Sequence, residues 1–112
     1  MAVCERYSSP DDASLVLIVD DDDGDIAVAF DGLEWHTHAD ALVGSFGATE
    51  AEAVAAFVEQ ILSDRLVIAV CGRDGAVHDV RVTDDPATEQ RYVPAGEHIL
   101  LRFWSGRQWH AS

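Results

Sequence analysis

One segment limits the folds open to this chain more than any other. Residues 50–63 place Val54, Phe57, Val58, Ile61 and Leu62 at three- and four-residue spacing, opposite Glu52, Glu59 and Ser63. That period makes a helix with a single apolar stripe. Thr49 stands where it can cap the first turn, and Glu52, three residues on, can reach back to the cap nitrogen to complete a capping box. The stripe must be buried, and the segments on both sides of it read as strands.

Leu15-Val16-Leu17-Ile18-Val19 is an apolar run rich in β-branched residues, closed by Asp20-Asp21-Asp22-Asp23-Gly24-Asp25, so it predicts a buried strand ending in a turn. Ile26, Val28 and Phe30 alternate with Ala27 and Ala29, a second strand that forms an antiparallel hairpin with the first before Asp31-Gly32 turns. Leu33 to His38 reads as a third strand or an extended loop, and Gly44 to Gly47 punctuate the approach to the helix. Beyond Asp64, Leu66 to Val70 is continuously apolar, and Arg73-Asp74-Gly75 turns it into a second arm, Ala76 to Val82. Thr83 to Gly96 suits a long connection, although Arg91-Tyr92-Val93 could pair briefly with a neighbour. Glu97 to Trp104 is the last strand, with Ile99, Leu101 and Phe103 on one face and Leu100 and Trp104 on the other.

The order β-β-(β)-α-β-β-β predicts an α+β fold: a mainly antiparallel five- or six-stranded sheet with one helix packed on one face. The length of 112 residues suits a single domain over 1–112, with residues 1–13 expected to be flexible or loosely attached. One helix cannot cover both faces of such a sheet. The second face therefore needs either more chain or a partner, and a homodimer is one solution.

Charge narrows the functional classes. The chain has 21 acids against 7 arginines and no lysine. Residues 1–64 hold 15 of the acids and one base, Arg6, so the whole excess of −14 belongs to them, while residues 65–112 are neutral. Such a surface repels nucleic acid and anionic membrane and complements a basic protein. No run of about eighteen apolar residues is present, and the start lacks the basic flank and apolar centre of a secretory signal, so a cytoplasmic location is expected. Cys4 and Cys71 fit no metal or redox spacing and read as two thiols rather than a disulfide.

The run Asp20 to Asp25 invites a calcium reading, but an EF-hand loop with its glycine at the sixth place would start at Val19 and put Phe30, not Glu, at the twelfth. A lure for the arginines and lysines of a partner suits it better. Trp35-His36-Thr37-His38 followed by Asp40 is the most chemically suggestive stretch. On an extended segment His36 and His38 share a face, where with Asp40 they could hold zinc or iron in a small metal-dependent enzyme. No spaced fourth ligand accompanies them, and the plainer expectation is a surface strand whose Trp35 packs. No Gly-x-Ser-x-Gly elbow or phosphate-cradling glycine loop occurs, and Cys71 inside an apolar run is an inert thiol, so neither catalysis nor a cofactor is expected. Near the end, Trp104 and Trp109 beside Arg102 and Arg107 combine residue types enriched at interfaces.

The acid-rich small chain, the paired hairpins around one helix, Trp35-His36-Thr37-His38, the stretch from Glu52-Ala53-Val54 to Asp64-Arg65, and Phe103-Trp104-Ser105-Gly106 together resemble bacterial immunity proteins of polymorphic toxin systems. The resemblance implies a cytoplasmic protein that neutralises a cognate toxin, often a basic nuclease, by occluding its active site; it carries over no functional residues. The expected function is thus a non-catalytic binding protein of immunity type. Its expected partner-binding residues are Asp20, Asp21, Asp22, Asp23 and Asp25, with Trp35, His36, His38 and Trp104. A structural homo-oligomer subunit is the other alternative.

Overall fold

The strand patterns form two antiparallel sheets rather than one. In the computed structural model, which describes residues 2–111, strands β1 (Ala2–Ser8), β2 (Val16–Asp22), β3 (Asp25–Phe30) and β4 (His36–His38) pair in that order. Strands β5 (Val67–Arg73), β6 (Ala76–Thr83) and β7 (Glu97–Arg102) make a second sheet in the order β6-β5-β7. Helices α1 (Ala39–Leu42) and α2 (Glu50–Leu62) connect the sheets, and α3 (Pro86–Arg91) joins β6 to β7. The α+β class stands, and the single sheet with one helix is corrected. The reason lies in the partners of β5: it pairs with β6 on one side and β7 on the other, so it has no edge left for the first sheet. The first sheet itself ends at β4, three residues long, where the chain turns into α1.

Residues 1–13, expected to be loosely attached, are held from the second residue on; Met1 lies outside the described residues. β1 pairs antiparallel with β2 from Ala2↔Asp21 to Ser8↔Val16, with a bulge at Cys4. Ser9 is buried and its hydroxyl donates to the Trp104 carbonyl at 2.7 Å. Arg102, also buried, donates to the same carbonyl at 3.0 Å, to the Ser9 oxygen at 3.1 Å and to Asp11 at 3.3 Å. The β1–β2 connection is thereby fastened to the end of β7.

Two turns have the same chemistry. Asp23-Gly24 and Asp74-Gly75 each take positive φ at both positions (55° and 92°, 54° and 80°), the type I′ geometry whose twist matches a two-residue hairpin. Because the first turn needs only Asp23 and Gly24, Asp20, Asp21 and Asp22 belong to β2 and not to the turn the sequence pattern suggested. In β2, alternate acids therefore point to opposite faces.

α2 starts with the Thr49 hydroxyl accepting from the Glu52 nitrogen at 3.2 Å. Glu52 does not close the expected box on Thr49; its carboxylate accepts from the Ala48 nitrogen at 3.3 Å, one residue earlier. At the far end, Asp64 takes φ 64°, and the nitrogens of Arg65 and Asp64 donate to the carbonyls of Gln60 and Ile61, a Schellman closure. Ala53, Val54, Phe57, Val58 and Ile61 are buried. They meet Leu17, Val19, Val28 and Phe30 of the first sheet and Ile68 and Val80 of the second, in one core that includes Trp104. The opposite face of the second sheet is covered by the chain itself: Val67, Ala69 and Leu101 pack with Ile99, Phe103 and Trp109.

The connection after β6 also departs from expectation. Asp85 caps α3 by accepting from the Thr88 nitrogen at 3.2 Å, and Pro86 occupies the first turn, where its missing N–H costs nothing. Arg91 ends this helix and Tyr92 is exposed, so no Arg91-Tyr92-Val93 strand forms. Among the described residues, no helix is long and apolar enough to cross a membrane.

Candidate partner-binding groove

β2 and β3 bury Leu17, Val19, Val28 and Phe30 against α2, so the alternate residues Ile18, Asp20 and Asp22 on β2 and Asp25, Ala27 and Ala29 on β3 form the outer face. Register sets them in rows. Asp20 is opposite Ala27, which is opposite His38; Ile18 is opposite Ala29, which is opposite His36. The alanines are too small to fill the space between the β2 ridge and the two imidazoles. A groove of about 390 Å³ results, with Asp22 and Asp25 at one end and Asp31, Leu33 and Glu34 at the other.

The groove walls are held by local bonds. His36 Nδ1 donates to the Glu34 carbonyl at 2.9 Å, and His38 Nδ1 donates to Asp25 at 3.1 Å. Both rings thus carry a proton on Nδ1, and they meet edge to face with centroids 5.0 Å apart. Arg6, the single base of the first 64 residues, bonds Asp31 at 3.0 Å. Asp20 differs from its neighbours: its Oδ1 is buried and has no hydrogen-bond partner. A desolvated, unsatisfied acceptor costs roughly 1–3 kcal/mol, more when charged, and a donor brought by a partner would recover that cost.

The structure brings together Asp20, Asp22, Asp25, His36 and His38 and separates the other expected residues from them. Asp21 points to the opposite face of β2, and its carboxylate accepts from the Gly24 nitrogen at 2.7 Å. Asp23 lies in the turn. Trp35 is partly buried and packs on Phe30 at 5.8 Å between ring centroids, on the core side. Trp104 is 5% exposed, a core residue, which removes it from any candidate surface. In the metal-site alternative, the carboxylate that meets His38 is Asp25 rather than Asp40, and no group of three or more His, Cys, Asp or Glu among the described residues is arranged to hold a metal ion.

Ile18, Ala27 and Ala29 were missed. Their alternation with buried residues was visible, but the register that sets the alanines beside the histidines was not. A second polar cluster also went unseen. Arg81 on β6 bonds Asp79 at 2.8 Å and reaches Glu89 of α3, and it donates to the buried Cys71 sulfur at 3.2 Å. Burial pushes the Cys71 thiol up, against the opposing influence of Arg81. Cys4 and Cys71 do not form a disulfide.

No protein-family model, curated protein or solved structure matches this chain.

Proposed function

We propose that this chain is a non-catalytic binding protein of immunity type, which occludes the working surface of a basic cognate toxin with the outer face of its first sheet. One observation carries the reading: Asp20 presents a buried carboxylate oxygen without a hydrogen-bond partner, beside a groove whose other charged groups are mostly acids. A guanidinium or ammonium entering between the β2 ridge and the imidazoles would satisfy that oxygen, and the surrounding carboxylates would steer it in. The alanine floor admits an extended side chain. The neutral second half of the chain leaves this attraction undiluted.

The test is the association of the purified chain with its native partner, measured at low and physiological ionic strength. Steering makes the association rate fall clearly as salt rises. Asp20→Asn keeps the size of the side chain and removes its charge; because it leaves the partner's cation poorly matched in a desolvated site, it should speed dissociation about tenfold or more. Asp22→Asn, at the open end of the groove, should act mainly on association. An acidic partner, or kinetics indifferent to both salt and these substitutions, would overturn the proposal.

A second reading, self-association as a structural subunit, draws on the exposed apolar side chains Val77 (56%) and Leu100 (41%) of the second sheet. A monomeric mass by light scattering at high protein concentration would end it.

A further inference from the structure

β1 is the outer strand of the first sheet, and its core side opens into a cleft beside α2. The cleft measures about 570 Å³, larger than the outer groove. Val19 and Ile26 form its floor, and Val54, Val58 and Leu62 form its helical wall. α2 does not close over this edge because the positions that flank it are Ala51 and Ala55, small and exposed. An edge strand backed by an apolar cleft presents two things an extended segment needs: a row of backbone groups to pair with, and a place for every second side chain.

The charge around the cleft selects the occupant. Glu5 and Glu59 line it and no base does. Glu59 is 4.0 Å from Arg65, with both side chains mostly exposed, a separation at which such a pair neutralises little. Arg6 is engaged with Asp31. A second copy pairing edge to edge through its own β1 would bring its Glu5 and Glu59 against those of the first, which like-charge repulsion opposes. We propose that β1 and the cleft behind it receive an extended segment of a basic partner, added as a further strand to the first sheet. Alternate apolar side chains of that segment fill the cleft between β1 and α2, and its lysines or arginines meet Glu5 and Glu59. The inference rests on the partner being basic and goes beyond it in assigning the mode and place of contact.

The probe is an acetylated and amidated peptide of alternating valine and lysine, about eight residues long, the span of an ordinary strand. It is titrated into the full chain and followed by two-dimensional amide spectra, with an alternating valine–glutamate peptide as the control. The expected result is shifts along Val3 to Ser8 and at Val54, Val58 and Leu62, with the control binding at least about tenfold more weakly because its charges oppose those of the cleft. Ala55→Trp fills the cleft from an exposed helical position and should weaken the valine–lysine peptide about tenfold or more. Ala51→Phe serves the same purpose if the first variant does not fold. Shifts at Ala27, Ala29 and His36 instead would place the basic segment in the outer groove, which ends the strand-docking proposal and leaves the basic-partner reading standing. Equal binding of the valine–glutamate peptide at β1 would overturn the basic occupant and count against that reading too. No shift at β1 with either peptide, or β1 shifts that grow with protein concentration alone, would overturn strand docking, the latter in favour of a second copy.

Discussion

In the second sheet the arginines stand beside carboxylates, whereas in the first sheet the carboxylates stand mostly beside one another. Arg73 lies 3.4 Å from Glu97, Arg81 spans Asp79 and Glu89, and Arg102 reaches Asp11. All but the Arg81–Asp79 pair within β6 cross elements: Arg81 ties β6 to α3, and Arg102 ties β7 to the β1–β2 connection. On the first sheet Asp22 faces Asp25 across the hairpin, with Asp20 in the next row. The boundary of charge in the sequence, near residue 64, is also the boundary between the sheets. The ion pairs of the second sheet join elements of the fold, whereas Asp20, Asp22 and Asp25 of the first sheet gather on one outer face.

Both regions depend on α2, which joins them in one core. Phe57 is 4% exposed and meets Phe46 edge to face at 5.0 Å between centroids. Phe57→Ala should cost about 3–5 kcal/mol in denaturant unfolding, because the site is enclosed by both sheets and cannot collapse freely. A loss below roughly 1 kcal/mol would mean that the sheets hold together without the helix. Arg102→Ala should follow at about 2–3 kcal/mol, since it removes the buried guanidinium that joins the Ser9 oxygen, the Trp104 and Phe103 carbonyls and Asp11. Amide exchange should then accelerate across residues 8–15 before it does so in β5.

The parts of this fold legible in the sequence are those decided by neighbours along the chain. Val54, Phe57, Val58 and Ile61 fall on one helical face whatever surrounds them, and Asp-Gly turns at 23–24 and 74–75 need only positive φ. The partition into two sheets was not legible, because both flanks of β5 are apolar-compatible and only tertiary pairing chooses β7 over the first sheet. α3 escaped notice because six residues give almost no periodicity, although Asp85-Pro86 was a start signal. Trp104 could not be placed either, since Ser9 and Arg102, 95 and 2 residues away, decide its environment. At the groove, the shared face of Asp20 and Asp22 follows from period two, but the meeting of Ala27 with His38 depends on a β3–β4 register set by a loop.

Arg81→Gln gives a smaller test on the second sheet. Hydrogen bonds donated to Glu89 and Asp79 push the Arg81 guanidinium further up, so it stays charged at any working pH. Removing the charge leaves two carboxylates without their shared cation and should cost about 1–2 kcal/mol, with α3 amides exchanging faster while β2 and β3 are unchanged. Equal acceleration in both sheets would contradict the local role assigned to this cluster.

The smallest effect separates the regions by sign. Asp23 sits in the hairpin turn at φ 55°, between Asp22 and Asp25 in the sequence, and asparagine takes that backbone conformation readily while adding no charge to the acidic run. Asp23→Asn should therefore stabilise the isolated protein by about 0.3–0.5 kcal/mol at low salt, and the part of the gain that comes from relieved repulsion should shrink as salt screens it. Asp79→Asn, in the same measurement, should destabilise, because Asp79 accepts from Arg81 at 2.8 Å. Thermal unfolding of the two variants at low and high salt distinguishes the cases without any partner present. Opposite signs at low salt that converge at high salt are expected of a chain whose first sheet gives up stability to present charge. A destabilising Asp23→Asn would mean that this carboxylate is held by its own fold, and the contrast between the two sheets would then fail at the turn of the acidic hairpin.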